Sequence, residues 1–185
     1  MEYFDICDEQ GRPTGAIVSR ETAHREGIRH RTAHVWVVRK EAGRWQALLQ
    51  KRSANKDSFP GKYDTSSAGH IPAGDAPLDS ALRELSEELG IRATPKQLHP
   101  AGHFDIRYEK EFHGQRFRDN EYAHVYVYTE PVDIDRLTLQ AEEVERVDWF
   151  DVEKTWAELP TRRDLYCVPT EGMAVLRRYL KECEL

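Results

Sequence analysis

Runs of β-branched and aromatic residues mark the strands of this chain. The segment Ala33-His34-Val35-Trp36-Val37-Val38 predicts one strand, and Trp45-Gln46-Ala47-Leu48-Leu49-Gln50 follows across a short turn at Ala42-Gly43, which predicts a hairpin. Alternation in Ala123-His124-Val125-Tyr126-Val127-Tyr128 predicts a further strand, and Val147 to Phe150 a shorter one. Near the start, Tyr3 to Asp8 is a strand candidate before the turn-rich stretch Glu9 to Gly15, and a His- and Arg-rich stretch, His24 to Arg31, leads into the Ala33 strand. The loop Ser53 to Asp64 contains a Phe59-Pro60-Gly61 turn.

Two segments carry helical periodicity instead. Leu78, Ala81, Leu82, Leu85 and Leu89 form one apolar stripe, with Asp75 placed as N-cap, Pro77 in the first turn and Gly90 as the residue after the end, so a helix is predicted over about Ala76 to Leu89. Met173, Leu176 and Leu180 lie on one side of a terminal helix over Glu171 to Cys183. Interleaved strands and helices predict α/β or α+β layering. No repeat, low-complexity tract or long linker divides residues 1–185, so a single domain is expected.

Composition narrows the function classes. A chain of 185 residues buries roughly two-thirds of its unfolded surface without staples, and Cys7, Cys167 and Cys183 are widely spaced, which argues against both a disulfide framework and a zinc site. Charges in Met1-Glu2-Tyr3-Phe4-Asp5 stand where a signal peptide would be apolar, and no window approaches the roughly 18 apolar residues of a membrane span, so a cytoplasmic protein without membrane association is expected. Lys+Arg 27 against Asp+Glu 33 gives a net charge of -6, which disfavours a nucleic-acid polymer as partner. A small anionic ligand held by a local basic cluster and a metal stays compatible, and no feature decides for or against a homodimer.

The chemistry lies on the Ala76–Leu89 helix. Glu84, Glu87 and Glu88, at i, i+3 and i+4, gather on a sector away from the apolar stripe. Acidic residues on a helix face are ordinarily just solvated, but three such carboxylates repel one another, and a divalent cation reverses that sign. Mg²⁺ takes hard oxygen ligands, keeps several waters and is often completed by substrate phosphates. Arg83, one turn before Glu87, is placed to hold that carboxylate from behind.

The full pattern, Gly69, Asp75, then Arg83-Glu84-Leu85-Ser86-Glu87-Glu88 followed by Gly90-Ile91, resembles the Nudix box of residues 69–91; eight defined positions match, and Asp75 stands where the family has Glu. The resemblance implies a Nudix-type α/β/α sandwich with a mixed central sheet and a metal-dependent hydrolase that splits a diphosphate linkage, with water as nucleophile and Mg²⁺ (or Mn²⁺) as cofactor. By position, Glu87 and Glu88 are implied metal ligands, Glu84 a ligand or base, and the Ala68 or Gly69 carbonyl a further ligand. Glu121, Glu142 and Glu143 are additional candidates for the base.

From about Tyr3 to Trp149 the order of features also resembles the Nudix branch containing isopentenyl-diphosphate isomerase. That branch implies a second divalent-metal site at His24, His30, His70 and Glu121, with Asp119 close to the fifth position; imidazole and carboxylate ligands suit Mn²⁺, Zn²⁺ or Mg²⁺, in that order. It also implies diphosphate binding by Arg52 and Lys56, with neighbouring Lys51. The isomerase itself needs a cysteine directly before the Gly69-His70 pair, and Ala68 stands there. Hydrolysis of a small-molecule diphosphate is therefore the first reading, isomerisation the second, and a non-catalytic nucleotide-sensing module the third. Phe59, Tyr63, Phe104, Tyr108 and Phe117 are candidates to stack a base, against the alternative of core or rim packing.

Overall fold

The computed structural model describes residues 1–56 and 58–184. Its elements are β1 (Tyr3–Cys7), β2 (Pro13–Ser19), α1 (Arg20–Glu26), β3 (His30–Glu41), β4 (Arg44–Arg52), β5 (Tyr63–Asp64), β6 (Ser67–His70), α2 (Pro77–Leu89), β7 (Leu98–Phe112), β8 (Gln115–Tyr128), β9 (Val144–Asp151), α3 (Val152–Glu158) and α4 (Thr170–Glu182). β1 and β2 form a separate two-stranded sheet, while the main sheet runs β5-β4-β3-β8-β7, with β6 also on β3 and β9 on β4. The β3–β8 pair is parallel and its neighbours are antiparallel, so the sheet is mixed as expected.

Because side chains alternate across a strand, β3 feeds two cores. Val35 and Val37 face α2, packing with Ala81, Leu85 and Leu89, whereas Trp36 and Val38 face the other side, where Met173, Leu176 and Leu180 of α4 and Val152 of α3 cover them. Helices on both faces give the α/β/α layering that the Nudix resemblance implies.

The Ala42-Gly43 turn joins β3 to β4 with φ of 48° and 78°. Both central residues are left-handed, the geometry whose twist matches a two-residue hairpin. The strand containing Ala33–Val38 extends further in both directions, to His30 and Glu41. Within α2 one expectation is corrected: Asp75 is not the N-cap. Ala76 takes that position without a side-chain hydrogen bond, Pro77 opens the helix, and the Asp75 carbonyl instead accepts from the Arg31 guanidinium at 3.2 Å. Proline at the first position already lacks one of the N–H groups a cap would satisfy. Gly90 terminates the helix at φ 71°, where a Cβ would meet the Thr138 carbonyl at 3.0 Å.

Candidate active site

The site is assembled around β3. His30 opens that strand and lies opposite Glu121 of β8, while Thr32, two residues on, lies opposite His70 of β6. One central strand thus delivers an imidazole from itself, a carboxylate from one neighbour and a second imidazole from the other. The fourth member, His24, comes from α1, whose start is capped by the Ser19 hydroxyl accepting from the Thr22 N–H and whose end is turned by Gly27 at φ 72°. The ligand atoms of His24, His30, His70 and Glu121 all lie within 4.8 Å of one another.

The local hydrogen bonds fix which ring atoms face inward. His24 Nδ1 lies 2.9 Å from the Arg20 carbonyl and His30 Nδ1 lies 2.8 Å from the Ile28 carbonyl. A carbonyl only accepts, so each Nδ1 carries the proton and each Nε2 presents a lone pair to the centre. Thr32 Oγ1 donates to Glu121 at 3.0 Å. Stacking holds the rings: Phe4 lies against both His30 and His70 at 4.8 and 4.6 Å between centroids, and Phe117 against His24 at 4.4 Å.

Burial dominates the electrostatics. It depresses the pKa values of His24 to about 4 and of His30 and His70 to about 3, with mutual repulsion adding on the first two and the positive charges of Arg20 and Lys56 adding on His70. Burial raises Glu121 to about 7 and Asp119 to about 9, the latter also through the neighbouring Glu121 charge. His30 Nε2 and Asp119 Oδ1 are buried with no hydrogen-bond partner. Neutral imidazoles, carboxylates that resist ionising alone and orphaned lone pairs share one remedy, a divalent cation. The donor set fits such an ion.

The box carboxylates sit on the other side of β6. Glu84 and Glu87 share Arg83, at 2.7 and 3.1 Å, and Arg83 also donates to the His70 carbonyl at 3.3 Å, tying α2 to the histidine cluster. Gly69 is where α2 comes closest, since a Cβ there would overlap the Glu84 carboxyl. Glu88 is turned inward and buried, accepting from Gln50 Nε2 at 2.9 Å and from the Ala68 N–H at 3.2 Å; burial first, then the Glu84 charge, push its pKa up to about 8.

The remaining candidates are distributed unevenly. Arg52 pairs with Asp64 at 3.2 Å, Lys51 with Glu145 at 2.9 Å, and Lys56 with Glu143, so each expected diphosphate-binding cation is matched to a carboxylate, with Lys56 also felt by His70. Of the alternative bases, Glu142 is exposed and Glu143 is committed to Lys56. Of the aromatic candidates, Tyr63 and Phe104 follow the packing alternative and are core residues, 4% and 6% exposed. Residues that the sequence reading passed over include Gln50, which positions Glu88, Phe4, which stacks two histidines, and Arg20, one helical turn before His24. Only the last had a signal, its i, i+4 spacing.

Residues 28–168 match the family model for the NUDIX domain. The chain belongs to the NUDIX domain family. Across 143 residues it is 41% identical to an uncharacterized Nudix hydrolase of Clostridium acetobutylicum, covering 77% of this chain and 66% of that protein, so the chain spans just under two-thirds of that relative's length. It is 29% identical over 155 residues to an isopentenyl-diphosphate Delta-isomerase of Dinoroseobacter shibae, covering 84% of this chain and 80% of that one. The fold is similar to a crystal structure of a Deinococcus radiodurans protein, with a TM-score of 0.70 and 16% identity over 95% of this chain and 98% of that one. No helix among the described residues is long and apolar enough to cross a membrane.

Proposed function

We propose that this Nudix chain is a divalent-metal-dependent pyrophosphohydrolase acting on a small-molecule diphosphate. The observation that carries the reading is the convergence of His24, His30, His70 and Glu121 within 4.8 Å, with the His30 Nε2 lone pair orphaned, beside a complete set of box carboxylates. A divalent cation held by these groups supplies neutralisation of phosphate charge and acidification of the attacking water. With Glu121 committed to the cation, Glu84, whose carboxyl burial raises, is the candidate to accept the proton. Arg83 positions Glu84 and Glu87, and Gln50 positions Glu88.

An isomerase reading has two supports, the likeness to the Dinoroseobacter shibae enzyme and the assembled set of His24, His30, His70 and Glu121 that its branch implies. Against it stands Ala68, whose methyl group transfers no proton and whose N–H is engaged with Glu88. The test is a panel of nucleotides, nucleotide sugars, thiamine diphosphate and prenyl diphosphates with Mg²⁺ or Mn²⁺, following phosphate and pyrophosphate release by wild type and Glu87→Gln, with product analysis for isopentenyl diphosphate. Hydrolysis that disappears in the variant supports the proposal. C5 isomerisation without hydrolysis overturns it.

A further inference from the structure

Among the basic residues at the end of β4 and in the loop after it, Arg52 is held differently from its neighbours. The Lys51–Glu145 and Lys56–Glu143 pairs leave their carboxylates 44% and 34% exposed, whereas Arg52 and Asp64 are 15% and 18% exposed. Exposed lysine pairs of that kind hold little. The Arg52–Asp64 contact is anchored through the backbone on both sides. The Arg52 N–H donates to the Lys62 carbonyl at 2.9 Å and its carbonyl accepts from Gly61 at 3.1 Å, closing the loop that follows β4. The β4–β9 ladder shifts register between Lys51 and Arg52, the kind of irregularity that re-aims a side chain beside a functional site. Asp64 of β5 lies opposite Gln50 of β4, and next to it the Tyr63 N–H donates to the Leu165 carbonyl while the Tyr63 carbonyl accepts from Cys167, each at 2.9 Å.

The guanidinium is fixed through all of its nitrogens. Nη1 donates to Asp64 Oδ2 at 3.2 Å, Nε to the Ser58 carbonyl at 3.0 Å and Nη2 to the Ser58 hydroxyl at 3.1 Å. A guanidinium carries five N–H donors, so one is left over on each terminal nitrogen, the pair that can grip two oxygens of a phosphate at once. The other Asp64 oxygen accepts from the Thr65 N–H at 2.8 Å, which keeps the carboxylate from turning. Asp64 faces the interior of the site. Burial acts first on His34 of β3, Tyr108 of β7, Glu121 of β8 and Cys167 ahead of α4, and the Asp64 charge is felt by all of them.

We propose that Asp64 is a positioning residue that presents the free end of Arg52 to the diphosphate. The proposal rests on reading the neighbouring carboxylates and histidines as a diphosphate-hydrolysing site, yet binding of the diphosphate requires no turnover. Two effects of this carboxylate oppose each other. Its negative charge repels an incoming anion, while its hydrogen bond holds the cation that receives it. An arginine without a brace has many rotamers to lose when its fork must meet two oxygens together, so the second effect outweighs the first.

Calorimetric titration of the full chain with magnesium pyrophosphate tests it, using wild type, Asp64→Asn, Arg52→Ala and the double variant. Asp64→Asn is expected to weaken binding about tenfold, the size of one hydrogen bond to a charged group. The double variant is expected to bind no more weakly than Arg52→Ala, because Asp64 acts through Arg52. Unchanged or tighter binding by Asp64→Asn overturns the proposal, since that is the signature of a carboxylate that only repels the anion. Additive losses in the double variant overturn it as well, because a merely structural carboxylate would produce them. Where thermal unfolding shows Asp64→Asn to be poorly folded, Asp64→Glu takes its place: the longer stem keeps the charge but displaces the fork, so weaker binding is expected and wild-type affinity overturns the proposal. Pyrophosphate binding of the expected kind without hydrolysis of any panel compound upholds the positioning role and removes the hydrolase reading alone.

Discussion

Glu88→Gln separates stability from function. In the folded chain Glu88 is 6% exposed, and its carboxyl is raised from 4.5 to about 8 by burial and by the Glu84 charge. A group whose folded pKa is raised contributes its full stability below the unfolded value and loses it as pH rises through the folded one. At pH 7 the span above 4.5, at about 1.4 kcal/mol per unit, sets a ceiling of about 3 kcal/mol on what ionisable Glu88 costs the metal-free protein. Glutamine has nearly the same shape, its amide oxygen can accept from Gln50 and the Ala68 N–H as the carboxylate does, and it has no charge to bury. The variant should therefore be more stable than wild type in chelator, by about 1–3 kcal/mol at pH 7, or several degrees in Tm for a chain of this size. The gap should widen from pH 5 to 8 and then level off. With Mg²⁺ the order reverses for activity, because a neutral amide is a weak ligand. Thermal and urea unfolding in chelator across that pH range, with a parallel activity assay, measures both. A variant less stable than wild type at pH 8, or a gap that does not change with pH, would refute the reasoning.

Gly69→Ala drives a methyl group into the Glu84 carboxyl; it should cost about 1–3 kcal/mol in urea unfolding and, by shifting α2 against β6, reduce kcat by at least about tenfold. Metal affinity should rise with pH between 6 and 9, because the imidazoles at about 3 to 4 are already neutral while Glu121 at about 7 and Asp119 at about 9 still hold protons that a cation must displace. Calorimetry in buffers of different ionisation enthalpy would show this as proton release, and a pH-independent affinity would contradict it. Leu85→Ala empties a fully buried position between α2 and the sheet and should cost about 2–5 kcal/mol in chemical denaturation, with residual activity scaling with the folded fraction.

The legibility of these elements in the sequence follows from their surroundings. The α2 helix was readable because one face is uniformly apolar and its end is marked by Gly90, although the true N-cap was displaced by a residue when proline supplied the first turn. β7 and the first half of β8 were not readable. Their shared hairpin is long, and residues such as Arg107, Glu109, Arg116 and Arg118 are polar because the ribbon projects into solvent, held by pairs such as Glu109 with Arg118 at 3.0 Å. α1 and α3, seven residues each, are too short to establish a period. At the site, residue types and box spacing pointed to metal chemistry, but the assembly of His30, His70 and Glu121 is a property of strand register. No local pattern encodes that β6 and β8 flank β3, or that Glu88 would be buried against Gln50.

The central claim, that carboxylates and histidines of this chain hold a cation that drives diphosphate hydrolysis, is tested most directly by metal add-back. Chelator-stripped wild type, Glu87→Gln and His30→Ala would be assayed for turnover of the best panel substrate as Mg²⁺ or Mn²⁺ is restored. The account predicts no turnover without metal, saturable recovery in wild type and loss of at least about a hundredfold in Glu87→Gln, with His30→Ala requiring more metal. Turnover that persists in chelator, or full recovery in Glu87→Gln, would contradict it.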